Sequence, residues 1–142
     1  MKLLTTALTD VGRVRSANED AFVVDDDSGL FAVADGMGGH QAGEVAARMA
    51  IEEVCRSLGG RQAQRVMESY VSKADLTSRR DVFACLRRAF ELANERVRED
   101  ADQNAEHEGM GTTLDVVWLA RDSAFVAHAG DGRVYLARLR AR

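Results

Sequence analysis

The 142-residue chain contains no proline, where average usage of about 5% would give about seven; no functional consequence follows from that. Cysteine occurs only twice, as Cys55 and Cys85. They lie far apart within helical patterns, which suits reduced, core-facing thiols in the cytoplasm better than a disulfide framework. No apolar run approaches the length of a membrane span, and the opening Met1-Lys2-Leu3-Leu4-Thr5 is no signal peptide, so no membrane association is expected. A basic excess is also missing. Lysine and arginine number 19 against 23 aspartates and glutamates, for a net charge of -4, which argues against nucleic-acid binding. The three histidines are too scattered for a zinc site, and no EF-hand spacing is present.

What remains is an ordinary soluble composition, 46% hydrophobic and 30% charged, in a single domain spanning residues 1–142 and large enough to bury a core. Lys2 to Thr9 alternates as a strand, closed by Asp10-Val11-Gly12, and Arg13 to Asn18 reads as a loop. Asp20 to Asp25 encloses a second strand. Asp25-Asp26-Asp27-Ser28-Gly29 is a turn, and Leu30 to Asp35 a third strand. From Gly43 the period changes: Ala47, Ile51, Val54 and Leu58 mark a helix stopped by Gly59-Gly60. Residues 61–77 are helical in part. Ser78-Arg79-Arg80-Asp81 resembles a capping box ahead of a long helix through Val82, Leu86, Phe90, Ala93 and Val97. Asp100 to Gly111 reads as a polar loop. Three strands follow, Thr112 to Ala120, Ala124 to Ala129 and Arg133 to Leu139, separated by tight turns. Strands, helices, then strands again indicate an α+β fold with an antiparallel sheet. The last strand has no element after it and leaves an exposed edge, through which copies could associate. The chain reads as cut short.

The stretch from Val33 to His40 organises the rest. An apolar strand ends on one carboxylate, Asp35, and Gly36-Met37-Gly38-Gly39-His40 then turns into a helix. A strand end is a stiff mount for a ligand. Gly36 lacks a Cβ, so its carbonyl can approach an ion, and Gly38 and Gly39 permit the turn. A P-loop would need a lysine here, and a dinucleotide loop would need glycine where Gln41 stands. A carboxylate at the loop mouth repels bare phosphate unless a cation lies between them.

Glu19-Asp20, Asp35 and Asp131 all stand at strand or turn positions, with Arg15 four residues before Glu19. Such hard oxygen donors suit Mg²⁺ or Mn²⁺. Two ions sharing a carboxylate would activate a water and clamp a phosphate oxygen, and an arginine beside them would fork onto the remaining oxygens. Taken singly, any acidic residue is more often a solvated surface group.

Arg15-Ser16-Ala17-Asn18-Glu19-Asp20, Asp35-Gly36-Met37-Gly38-Gly39-His40, Gly111-Thr112-Thr113-Leu114 and Gly130-Asp131-Gly132-Arg133 occur in this order, and together the chain resembles the bacterial branch of the metal-dependent protein serine/threonine phosphatases of the PPM (type 2C) family. The likeness covers essentially the whole chain but only the first three-fifths of such a catalytic domain. It implies a partial α-β-β-α sandwich with antiparallel sheets, binding two or three Mn²⁺ or Mg²⁺ ions. By the same resemblance Asp35 would bridge two metals with the Gly36 carbonyl beside it. Glu19 and Asp20 would hold metal-bound waters or the metal edge, Asp131 a third metal, and Arg15 the substrate phosphate. The implied reaction is hydrolysis of phosphoserine and phosphothreonine in proteins by metal-activated water, without a phosphoenzyme. The implied partners are phosphorylated proteins, including a cognate serine/threonine kinase. Two departures stand out. The family usually has serine at the position of Gly132, which reads as a mild change. The later aspartates that complete the family's dinuclear site have no counterpart here, so weak or no activity by this chain alone is expected.

His40 is a candidate general acid for the leaving alkoxide; a loop histidine capping the next helix is the simpler reading. His128 reads as a structural strand residue, and His107 carries no signal. Met37 fits either a lid or a packing role. Cys55 and Arg61 match the C-x₅-R pattern of cysteine-dependent phosphatases, but Cys55 lies near a helix C-terminus, where the dipole opposes a thiolate. The other alternative is a non-catalytic phosphatase-like module that binds or regulates a phosphoprotein without cleaving it.

Overall fold

The computed structural model describes residues 3–38 and 42–138. Two alternating segments pair first. β1 (Asp20–Asp25) and β2 (Leu30–Met37) form an antiparallel hairpin. Asp25 holds its turn by accepting from the amides of Asp27 and Ser28 at 3.1 Å each and from the Ser28 hydroxyl at 2.6 Å. Those bonds, the Ser28 hydroxyl first, hold the Asp25 carboxyl below the ordinary carboxylate range. The aspartate run is a turn, as its composition predicts.

α1 (Ala42–Leu58), α2 (Arg61–Lys73) and α3 (Leu76–Gln103) follow, then a 3₁₀ turn at Ala105–His107. β3 (Gly111–Thr112), β4 (Leu114–Ala120) and β5 (Ser123–Ala129) complete the sheet. Every pairing is antiparallel, in the order β1-β2-β4-β5, with β3 extending the pairing of β2 beyond β4.

The strand alternation sorts side chains onto two faces. Leu30, Ala32 and Ala34 of β2 and Leu114, Val116, Trp118 and Ala120 of β4 are buried beneath the helices. There they meet Ala47, Ala50, Ile51 and Val54 of α1 and Val82 and Leu86 of α3. Each large side chain so buried contributes about 1.5–3 kcal/mol. Small residues on α1 let the helix lie close to the sheet. Tyr70 of α2 packs edge-on to Phe125 at 4.9 Å, and its hydroxyl lies 2.8 Å from that of Ser123. Glu53, buried on α1, is paired with Arg56 and accepts from the Ser57 hydroxyl at 2.9 Å.

The opposite face has no helix among the described residues. Phe22, Val24, Val33 and Val126 are exposed on it. A groove of about 580 Å³ lies over this face, lined also by Thr6, Ala7 and the stretch from Asp131 to Tyr135. The α+β expectation holds, as one helical layer on one antiparallel sheet.

Several boundaries differ from expectation. No strand forms at residues 3–9, nor at residues 133–138. Alternation says which face a strand would present, but a strand also needs a ladder partner, and neither segment has one among the described residues. Among the described residues the edges of the sheet are therefore β1 and β5, and residues 133–138 form no C-terminal strand edge. The cap of α3 is Asp75, three residues before the expected Ser78. Its carboxylate accepts from the Ser78 amide at 2.7 Å, and the Ser78 hydroxyl donates back to the Asp75 carbonyl at 3.1 Å. The expected polar loop after Asp100 is partly helical, because α3 runs on to Gln103 and His107 pairs with Asp100.

Candidate metal centre

The hairpin register decides what lies beside Asp35. Asp20 of β1 is directly opposite Asp35 of β2, and both project from the open face. Like charges facing each other across adjacent strands are destabilising. The Asp35 carboxyl is accordingly pushed above the ordinary value of 3.8, by partial burial first, then by Asp20, with Asp131 and Glu19 adding to the push and Arg15 opposing it. The structure thus brings Arg15, Glu19, Asp20, Asp35 and Asp131 into one electrostatic neighbourhood. His40 lies outside the described residues.

Each member has a local support. The Thr9 hydroxyl donates to Asp20 Oδ2 and accepts from Asn18 Nδ2 at 2.9 Å, while the Asp20 amide donates to Asn18 Oδ1 at 3.0 Å. Arg15 Nη1 donates to Glu19 Oε2 at 2.9 Å; the arginine is 64% exposed and the glutamate 14%. Glu19 itself lies against Gly43 in the first turn of α1, where the helix dipole favours a carboxylate. Gly36 is buried, and its amide donates to the Glu19 carbonyl at 3.1 Å. A Cβ on Gly36 would overlap the Gly43 backbone and come within 2.7 Å of the Glu19 carbonyl oxygen. Close approach of strand and helix is therefore what requires this glycine.

Two residues without a predicted role underlie the site. The Thr113 hydroxyl accepts from the Asp35 amide at 3.0 Å, and the Thr113 amide donates to the Asp35 carbonyl at 2.9 Å. Asp115, opposite Val33 and His128, lies beneath Gly132. Thr113 belongs to a motif quoted above. Asp115 is the one charge in an otherwise apolar strand, and that pattern could have flagged it. Thr9 left no signal. Met37 is exposed, with its methyl group close to Gly111, and His128 is exposed on the open face.

The donors are oxygen atoms bearing mutually repelling charge, and one carboxylate oxygen, Asp115 Oδ1, is buried without a hydrogen-bond partner. That chemistry fits a hard divalent cation. Among the described residues, no group of three or more aspartate, glutamate, histidine or cysteine side chains is drawn together closely enough to hold an ion. The rival cysteine chemistry does not fit. Cys55 and Cys85 are free and half-buried, and burial pushes both thiols above their ordinary value.

Comparison with known proteins agrees with the fold. The sequence profile described as Protein phosphatase 2C matches residues 12–141. The serine/threonine phosphatase stp of Listeria welshimeri is 32% identical over 131 residues, which are 90% of this chain and 47% of that protein. The chain thus spans about half the length of such relatives. The crystal structure of the Mycobacterium tuberculosis serine/threonine phosphatase PstP/Ppp superimposes with a TM-score of 0.63 at 31% identity, over 84% of this chain and 43% of that one. A structure of the PstP catalytic domain in complex with two manganese ions gives a TM-score of 0.63 at 32% identity, over 84% and 44% of the respective chains.

Proposed function

This chain belongs to the protein phosphatase 2C family, and on that premise we propose that it carries the phosphate-engaging part of an Mn²⁺- or Mg²⁺-dependent phosphatase acting on phosphoserine and phosphothreonine in proteins. The observation that carries the reading is the facing pair Asp20 and Asp35, whose repulsion has Arg15 as its nearby counter-charge. A like-charge pair that opposes folding is intelligible if the site is built for a cation.

Asp35, with Asp20 and the Gly36 carbonyl, would hold the ions. Asp131 would hold a further one, and Glu19 would accept from water at the metal edge. When bound, such ions polarise phosphate oxygens and supply a nucleophile from water at neutral pH. The protein's own contribution is positioning. Thr113 fixes the Asp35 backbone, Thr9 orients the Asp20 carboxylate, and Arg15, beside Glu19, would hold phosphate oxygens with its planar guanidinium fork. His40 is kept as the candidate proton donor to the leaving alkoxide. Phosphorylated proteins, with a cognate serine/threonine kinase among them, are the proposed partners. The two free thiols support a cytoplasmic setting. Self-association, if it uses a strand edge, would use β1 or β5.

The separation of the carboxylates among the described residues favours one second reading, a module that binds phosphoprotein without turnover. Titration with Mn²⁺, followed by loss of the free-ion electron paramagnetic resonance signal, tests the metal reading. Saturable binding abolished by Asp35→Asn is expected, and absence of binding by the unaltered chain would overturn it. EDTA-sensitive hydrolysis of a phosphothreonine peptide separates catalysis from binding alone.

A further inference from the structure

The turn that carries Asp131 rests on β4. A Cβ on Gly130 would come within 2.8 Å of the Thr113 methyl group, and one on Gly132 would overlap Asp115 Oδ2 and lie 2.6 Å from its Cγ. The two glycines differ in what they need. Gly130 has φ +105°, a conformation that side-chain-bearing residues avoid. Gly132 is not among the positive-φ glycines, so its backbone would accept a serine. What stands in the way is the Asp115 carboxylate, the far end of a side chain, so a serine there requires that carboxylate to shift. The departure at Gly132 is therefore coupled to a charge in the neighbouring strand. The turn is also tied by Arg133, whose Nη1 donates to the carbonyls of Asp131 and Gly132, the latter at 2.7 Å.

We propose that Asp115 is a positioning residue for Asp131: its carboxylate occupies the place of a side chain at 132 and sets the height of the turn above the sheet. The proposal rests on the reading of Asp131 as a metal ligand. A purely stabilising role does not explain Asp115, because its Oδ1 is buried without a hydrogen-bond partner. An orphaned oxygen of that kind weakens a fold. Thr113 supports Gly130 and also clamps Asp35, so Thr113, just before β4, and Asp115 within it fix the Asp131 turn relative to Asp35.

The test is a double-mutant cycle with Asp115→Ala, Gly132→Ser and both together, read in two ways. In the metal-free chain, backbone amide shifts and hydrogen exchange of residues 130–133 report the turn directly. Mn²⁺ affinity, from the free-ion resonance signal, reports its consequence. Each single variant should disturb the turn and weaken Mn²⁺ binding about tenfold, as loss of a supporting group does. The double variant, with serine filling the vacated space, should return both readings towards the unaltered chain, a coupling that independent sites lack. Thermal stability should not fall in Asp115→Ala, which a merely structural residue would not permit. Additive losses in the double variant, or an undisturbed turn in Gly132→Ser, would overturn the proposal. If the unaltered chain binds no Mn²⁺, the metal reading fails, while the metal-free amide readings still decide the Asp115–Gly132 coupling.

Discussion

Thr113 grips Asp35 from both sides of its peptide unit, accepting from its amide through the hydroxyl and donating to its carbonyl through its own amide. This contact joins residues 78 positions apart in sequence and anchors the strand tip on which the candidate metal centre depends.

Replacing Thr113 by alanine removes the side-chain half of that grip and keeps the ladder bond. We expect a loss of about 1 kcal/mol in stability and a larger effect on Mn²⁺ affinity, about tenfold. Equilibrium unfolding and metal titration on one sample would measure the two together.

Asp35→Asn should raise the melting temperature of the metal-free chain while abolishing metal binding. The sign follows from the raised carboxyl pKa of Asp35. The folded state favours the protonated acid, so this group's stabilising contribution is complete below the ordinary value of 3.8 and is lost as pH rises through the raised one. At neutral pH the ionised group opposes folding. Because the side chain is exposed, the gain should stay below about 1 kcal/mol. Melting curves from pH 3 to pH 7 should diverge between the two proteins only above the acid end.

Gly36→Ala should fail to fold or lose stability by about 3 kcal/mol or more, since the added carbon would overlap backbone at Gly43 rather than a movable side chain. Gly12→Ala provides the contrast. Nothing lies near its missing Cβ, and only its φ of +74° opposes the change. Soluble yield and denaturant midpoint of the pair would check this.

Iodoacetamide should modify Cys55 and Cys85 slowly at pH 7, because burial raises both thiols and no cation lowers them. Any hydrolytic activity should survive alkylation and disappear in EDTA. The opposite pattern would revive the cysteine-phosphatase reading.

The chain's alternation and helical periods suffice to place β1, β2, β4 and β5 and the helix starting near Gly43, because each of those segments buries one face and the pattern records which. The same pattern misleads at residues 3–9 and 133–138, which alternate yet pair with nothing among the described residues. A cap three residues early, at Asp75, was equally illegible, since aspartate and serine compete for that place on local grounds.

The candidate acids Glu19, Asp20, Asp35 and Asp131 are written in the sequence as carboxylates at strand ends and turns, and their order in the motifs identifies the family. Which of them face one another is a matter of register, and register is set by long-range pairing. Only the folded sheet puts Asp20 opposite Asp35, lays Thr113 alongside both Asp35 and Gly130, and presses Asp115 into the space that Gly132 leaves open. Chemical identity is local and travels with the chain; which groups touch depends on closing long loops, and no short stretch of residues encodes that.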